Sequence, residues 1–97
     1  MPEQAQQNQI KVEAENATLR GVYANNMLIS HTKEEFVMDF MLIHPPKGLL
    51  INRTIVSPGH FKRMVRAMQD NLKKYEDNFG QIPESKGPQT SEFGFKA

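Results

Sequence analysis

The sequence contains no cysteine and no long apolar run. Without cysteine the chain can form neither a disulfide bond nor a thiolate metal site. No apolar run approaches the roughly 20 residues that a membrane-spanning helix needs. The first nine residues, MPEQAQQNQ, lack the apolar core of a signal peptide. These absences predict a soluble, cytoplasmic protein with no membrane contact.

A strong charge of either sign is also missing. The 97 residues carry 12 Lys and Arg against 11 Asp and Glu, which gives a formal net charge of +1. No global field therefore draws the chain to nucleic acid, so any basic patch must be local. A chain of this length forms one small domain at most.

Both ends of the chain are poor in residues that build a core. Residues 1–9 contain four Gln and no large apolar residue after Met1, which predicts a disordered segment. Residues 81–97 hold two Pro, two Gly and two Ser, which predicts a flexible C-terminal tail. Residues 10–80 remain as a single domain.

The first half of this domain has the pattern of β-strands. Apolar and polar residues alternate over residues 10–16, IKVEAEN, which predicts a half-buried or edge strand. Residues 20–32 are rich in strand formers but are interrupted by Asn25 and Asn26. That segment is therefore either one strand with a bulge or two short pieces.

A hairpin is predicted over residues 35–56. Its two apolar strands, 35–44 and 49–56, flank the turn sequence PPKG. Both faces of the first strand are apolar, so both need covering. One face carries Phe36, Met38, Phe40 and Leu42, and the other carries Val37, Met41 and Ile43.

A long helix is predicted to follow this hairpin. Ser57 is a suitable N-cap, and Pro58 suits the first helical position, where no backbone donor is needed. Gly80 is a suitable C-terminal stop. The residues between them place one apolar stripe on a 3.6-residue period, formed by Phe61, Met64, Val65, Met68, Leu72, Tyr75 and Phe79.

The predicted fold class is therefore α+β, an antiparallel sheet of three to four strands followed by one long C-terminal helix. One helix covers one face of the sheet, and the second face needs a second layer. We expect a homodimer built mainly from the hairpin, with the helices outside or crossing the partner's sheet. The predicted interface comprises Phe36, Val37, Met38, Phe40, Met41 and Ile43.

Five short segments in order carry a family resemblance. They are YANN at 23–26, SHT at 30–32, EFVMDF at 35–40, SPGHFKRM at 57–64 and YEDNFGQI at 75–82. With this spacing, residues 10–82 resemble the bacterial domain-of-unknown-function family 3467. The resemblance implies a short stand-alone protein and brings no catalytic residues with it.

Metal binding and catalysis have little support in the sequence. His31, His44 and His60 fall in a loop, a turn and a helix start, without the convergent ligands that a metal site needs. No Ser/His/Asp or Cys/His set, paired carboxylates or glycine-rich phosphate loop stands out. We therefore predict a protein that is not an enzyme and that uses no cofactor or metal.

One carboxylate lies within the apolar strand 35–44. Asp39 costs stability there unless it is paired or exposed. It either pairs with Arg53 across the hairpin or faces a site where it binds a cation or a partner's arginine. The position of Arg53 opposite Asp39 favours the ion pair.

Three cations, Lys62, Arg63 and Arg66, lie near the start of the predicted helix and off its apolar stripe. They form a solvated face, contact nucleic acid with the free amides of the first turn, or bind an acidic protein. On the solvated face, Arg66 is placed to pair with Asp70, and Asp70 with a following lysine.

The end of the chain places Phe93 and Phe95 two residues apart. This pattern is either a docking peptide that adds to a sheet edge or an unstructured end. Taken together, the sequence predicts a non-enzymatic dimeric protein-interaction module. The alternative is a nucleic-acid-binding regulator that uses the basic helix face.

Overall fold

The structure is a computed structural model that describes residues 9–87 and residue 94. Its elements in chain order are α1 (Asn16–Arg20), β1 (Asn26–His31), β2 (Phe36–His44), β3 (Lys47–Val56) and α2 (Pro58–Phe79). The predicted α+β class is confirmed, since a three-stranded antiparallel sheet is followed by a C-terminal helix. Residues 1–8 of the predicted N-terminal segment, and residues 88–93 and 95–97 of the predicted tail, lie outside the described residues.

The central strand of the sheet is β2, with β1 on one side and β3 on the other. Leu28 of β1 and Arg53 of β3 both lie opposite Asp39. A bulge interrupts the β2–β3 pairing, because Phe40 lies opposite Asn52 whereas Met41 lies opposite Leu50. β3 therefore holds one extra residue, Ile51, at this point.

The hairpin turn is tighter than its composition predicts. The turn consists of Pro45 and Pro46, joined by a cis peptide bond, and β3 already begins at Lys47. Proline has no N–H to offer a ladder, so pairing stops at this dipeptide. Lys47 and Gly48 then pair with His44 and Ile43.

Asn25 completes the edge where β1 is shorter than β2. Its backbone N–H donates to the Met41 carbonyl at 3.0 Å. Its side-chain amide accepts from the Ile43 N–H at 2.8 Å and donates to the Ile43 carbonyl at 2.9 Å. The amide thus takes the place of a strand residue, which resolves residues 20–32 into one strand that begins at Asn26.

The predicted strand over residues 10–16 is wrong. Residues 9–15 have no regular structure, and the chain turns into the short helix α1 at Asn16. Ile10 is 88% exposed and Val12 is 87% exposed, so the alternating face is not buried. Alternation specifies a strand only where a neighbouring strand accepts its hydrogen bonds, and none among the described residues pairs with this segment.

The core of the described residues is small. Met38 and Met41, on β2, are the buried apolar side chains of the described residues. Asp39, between them, is the buried charged residue. Since side chains alternate between the faces of a strand, Met38 lies on one face of the sheet and Met41 on the other.

Candidate functional site

The bounds of α2 agree with the predicted caps. Ser57 Oγ accepts a hydrogen bond from the His60 N–H at 3.3 Å, and Pro58 occupies the first helical position. At the other end Gly80 adopts a φ of 92°, and its N–H donates to the Glu76 carbonyl at 2.9 Å. A positive φ carries no steric cost for glycine, so the chain leaves the helix there.

The helix α2 contacts the sheet near its own N-terminus. The rings of Phe61 and Phe36 are stacked, with centroids 4.0 Å apart and an angle of 3° between their planes. Phe61 and Met64 are half-buried. Within Pro58–Phe79, all of which the structure describes, no residue is buried. The helix therefore contacts the sheet at its N-terminal end, and its half-buried apolar residues, Phe61 and Met64, lie within the first two turns.

The rest of the apolar side of α2 faces solvent. Exposed fractions lie between 39% at Val65 and 74% at Phe79. We call this set the α2 stripe, and it comprises Val65, Met68, Leu72, Tyr75 and Phe79. Single exposed apolar residues are common, whereas a contiguous row of five makes this side of α2 a candidate interaction surface.

The predicted interface residues on β2 are largely covered within one chain. Met38 and Met41 are buried, and Phe36, Val37, Phe40 and Ile43 are half-buried. The apolar surface that remains in water lies beside them on the sheet. It comprises Met27, Ile29, Leu42, Leu49, Leu50 and Ile55, each 38–62% exposed.

The predicted ion pair between Asp39 and Arg53 is confirmed. Arg53 Nε donates to Asp39 Oδ1 at 2.6 Å, and Arg53 Nη2 donates to Oδ2 at 2.9 Å. The side chain of Asp39 is 5% exposed, whereas that of Arg53 is 52% exposed. The two hydrogen bonds from Arg53 and its charge lower the pKa of Asp39 against the opposing effect of burial. The same contacts raise the pKa of Arg53. Arg53 thus satisfies the buried carboxylate, which favours a structural role.

The three predicted anion-contact residues, Lys62, Arg63 and Arg66, are all exposed on α2. Arg63 Nη2 lies 3.1 Å from His60 Nδ1. The predicted pairs of Asp70 with Arg66 or a following lysine do not form. Among the described residues, the intrahelical ion pair is instead Lys73 with Asp77, at 2.8 Å. The arrangement leaves a basic face near the helix start.

The described residues contain no group of three His, Asp or Glu side chains that could hold a metal ion. His31 lies beside Phe36, with ring centroids 5.2 Å apart, and His60 lies beside Arg63. The structure therefore does not bring these histidines together with His44. The helices that the structure describes include none with the length and apolar character to cross a bilayer.

The chain that follows α2 turns back towards the sheet. The Ile82 N–H donates to Glu76 Oε2 at 3.0 Å. Gly87 lies against Asn26, where an added Cβ would come within 2.8 Å of Oδ1. The predicted docking residues Phe93 and Phe95 lie outside the described residues.

The α2 stripe is the feature that sequence reasoning did not identify as an interface. Its periodic spacing is visible in the sequence, which predicts packing of α2 on its own sheet or, in a dimer, across the partner's sheet. The missing information was how far along the helix that packing extends. Phe61 and Met64 are half-buried, whereas Phe79 is 74% exposed, so the apolar period alone does not separate core from interface.

Comparison with known proteins places the chain in a family without identifying a characterised relative. No curated protein matches the chain, and no solved structure matches it. The family model described as "Protein of unknown function (DUF3467)" matches residues 1–84 of the 97-residue chain. The match includes the sheet, all of α2 and Ile82, whose N–H donates to Glu76. The chain therefore belongs to the DUF3467 family of proteins of unknown function.

Proposed function

We propose that the protein is a homodimeric protein-interaction module without a catalytic role, and that the α2 stripe forms its interface. The observation that carries this proposal is the exposure of the stripe. Met68, Leu72 and Tyr75 are each about half exposed, and Phe79 is 74% exposed. Full burial of a large apolar side chain contributes roughly 1.5–3 kcal/mol. A partner that covers the stripe therefore gains a substantial hydrophobic contribution.

The small core favours a permanent partner over a transient one. Met38 and Met41 are the buried apolar residues of the part of the chain that the structure describes. Small domains without disulfides or metals commonly depend on association for stability. A second copy supplies an identical stripe at equal concentration, and two-fold symmetric dimers are the commonest assembly.

Exposed apolar residues on the sheet provide a second contact area for the proposed dimer. Directly opposite residues share a face of a sheet, so Ile29 lies on the same face as Met38 and Phe36. Phe36 is the residue on which Phe61 stacks, so this is the face that α2 approaches. Ile29 is 41% exposed there, so apolar surface is still open beside the start of α2.

Light scattering on matched variants tests the proposal. Leu72→Glu places a charge within the α2 stripe, and Ala67→Glu places the same charge on α2 outside the stripe. We expect the wild type and Ala67→Glu to have twice the chain mass of 11.1 kDa. We expect Leu72→Glu to have the mass of one chain. Equal masses for the two variants, with helical circular dichroism retained, would contradict the proposed interface.

A further inference from the structure

The exposed side chains of α2 follow a heptad repeat. From Phe61 onward, and apart from Met64, apolar residues are spaced 4, 3, 4, 3 and 4 apart, which is the alternation of a and d positions. Met64 occupies a g position beside this repeat. Val65, Leu72 and Phe79 occupy a, and Phe61, Met68 and Tyr75 occupy d. A repeat of 3.5 residues keeps a stripe against a second helix along its whole length. The 22 residues of α2 span about 33 Å, enough for three heptads.

The residues that flank this repeat bring opposite charges together only when the two helices run antiparallel. Lys62, Gln69 and Glu76 occupy the e positions. In an antiparallel pair, e positions face e positions, so Lys62 meets Glu76 of the partner subunit and Gln69 meets its own copy. Two-fold symmetry repeats the ion pair at the other end of the coil. Opposite charges at such flanking positions set partner choice and orientation.

A parallel pair has no such complementarity. There the g positions face the e positions, which places Met64 opposite Gln69 and Asn71 opposite Glu76. Neither contact joins opposite charges. The antiparallel pairing also matches large residues with smaller ones in one layer, because Tyr75 of the partner subunit meets Val65.

The two charged residues are available for this contact. Lys62 is exposed and takes part in no ion pair among residues 9–87. Glu76 is half-buried, and the Ile82 N–H holds its Oε2. A carboxylate accepts several hydrogen bonds, so Oε1 remains an acceptor for a lysine. Asp77, by contrast, already pairs with Lys73 inside the same helix.

We infer that the α2 stripe is covered by the antiparallel α2 of a second copy, held in register by two symmetric Lys62–Glu76 ion pairs. This inference rests on the proposed homodimer. The two-fold axis passes beside Asp70, and the two sheets lie at opposite ends of the coil. Phe79 of the partner subunit then packs against the stack of Phe61 on Phe36, which extends the apolar contact at each end.

Charge-reversal variants distinguish this antiparallel arrangement from a dimer of another geometry. Lys62→Glu alone and Glu76→Lys alone each place like charges at both pairs, and we expect each to raise the dimer Kd roughly tenfold at low salt. An equimolar mixture of the two variants restores both pairs in a heterodimer. We therefore expect the mixture to associate about as tightly as the wild type. A mixture no tighter than either variant alone would overturn the inference.

The neighbouring residues provide the matched controls. Arg63→Glu makes the same charge change as Lys62→Glu in the same turn of α2, outside the e and g positions. Asp77→Lys does the same beside Glu76. We expect the two control variants to keep the wild-type Kd. Controls as weak as the test variants would show an effect of net charge or of the helix dipole, and would overturn the Lys62–Glu76 register.

Distances between spin labels test the direction of the helices independently. The chain has no cysteine, so Asp70→Cys and Asp77→Cys each provide one labelling site per chain. In the antiparallel coil, labels at Asp70 lie beside the axis, whereas labels at Asp77 are displaced by about 21 Å along the coil. Dimers with equal distances at both sites would overturn the antiparallel inference and leave the proposed dimer intact. A wild type that stays monomeric would overturn the proposed function as well.

Discussion

Removal of either partner of the Asp39–Arg53 pair is expected to have unequal effects on stability. Arg53→Ala leaves a carboxylate whose side chain is 5% exposed, without its cation. Loss of one partner from a fully buried pair costs about 3–5 kcal/mol. Arg53 is itself half exposed, and its removal admits water to Asp39, so we expect a cost below that range, nearer the roughly 1–3 kcal/mol of a buried polar group left without its partner. Asp39→Ala leaves an arginine that is 52% exposed and that water can solvate. Its cost is limited to the lost hydrogen bonds, which water replaces on the exposed guanidinium, so it is the smaller of the two. We therefore expect Arg53→Ala to be the more destabilising change.

The stability of the wild type and that of Arg53→Ala should depend on pH with opposite signs. In the wild type Arg53 lowers the pKa of Asp39, so the pair stabilises the fold above the unfolded value of about 3.9 and this contribution is lost as pH falls through the lowered folded pKa. In Arg53→Ala, burial without the cation raises the pKa of Asp39. The variant therefore loses stability as pH rises through that raised pKa.

Urea unfolding of the four members of a double-mutant cycle measures these effects. The double variant Asp39→Ala/Arg53→Ala should be less destabilised than the sum of the two single variants. All four proteins are compared at one concentration, because dissociation of a dimer contributes to the apparent stability. Losses of unfolding free energy that add up in the double variant would refute the reasoning. So would an Asp39→Ala variant that is less stable than Arg53→Ala at pH 7.

Three further changes probe the helix and the ends of the fold. Ser57→Ala removes the N-cap bond to the His60 N–H and should cost about 1 kcal/mol in urea unfolding, whereas Ser57→Asp should keep most of the stability. Lys62→Glu with Arg63→Glu should leave the circular dichroism unchanged, since both side chains are exposed; wild-type protein that fails to shift labelled nucleic acid at low salt rules out the nucleic-acid hypothesis without a mutant. Deletion of residues 81–97 removes no buried residue of the described part, so the Tm should fall by less than about 4 °C; a larger fall would assign the tail a structural role.

The elements with local signals were predictable from the sequence. The stretch from Ser57 to Gly80 combines a cap, a proline at the first position, a periodic apolar stripe and a terminal glycine, and the structure ends the helix where these residues indicate. The hairpin was predictable because two apolar strands flank a proline turn. Its register placed Arg53 opposite Asp39, and the ion pair followed from that position.

The features that depend on distant partners were not predictable. Residues 10–16 alternate as a strand does, but the pattern does not reveal whether a neighbouring strand will accept their hydrogen bonds. The bulge at Ile51 changes the register without a glycine or proline to mark it. Asn25 interrupts an apolar segment, and only the structure reveals that its amide bonds the backbone of Ile43.

The same limit applies to the candidate site. The apolar period of α2 is identical whether the helix packs on its own sheet or on another helix. The choice depends on how far the sheet reaches along α2, and Phe61 and Met64 mark that reach. The signal in the sequence that favours a partner helix is the pair of opposite charges beside the stripe, Lys62 near its start and Glu76 near its end.

Sedimentation equilibrium of the wild-type protein is the most direct test of whether a second copy covers the α2 stripe. Samples from about 1 µM to about 100 µM span the affinities expected of a stable dimer of this size. The account predicts a mass that rises to twice 11.1 kDa within this range and goes no higher. A folded protein with a mass of 11.1 kDa at every concentration would contradict it.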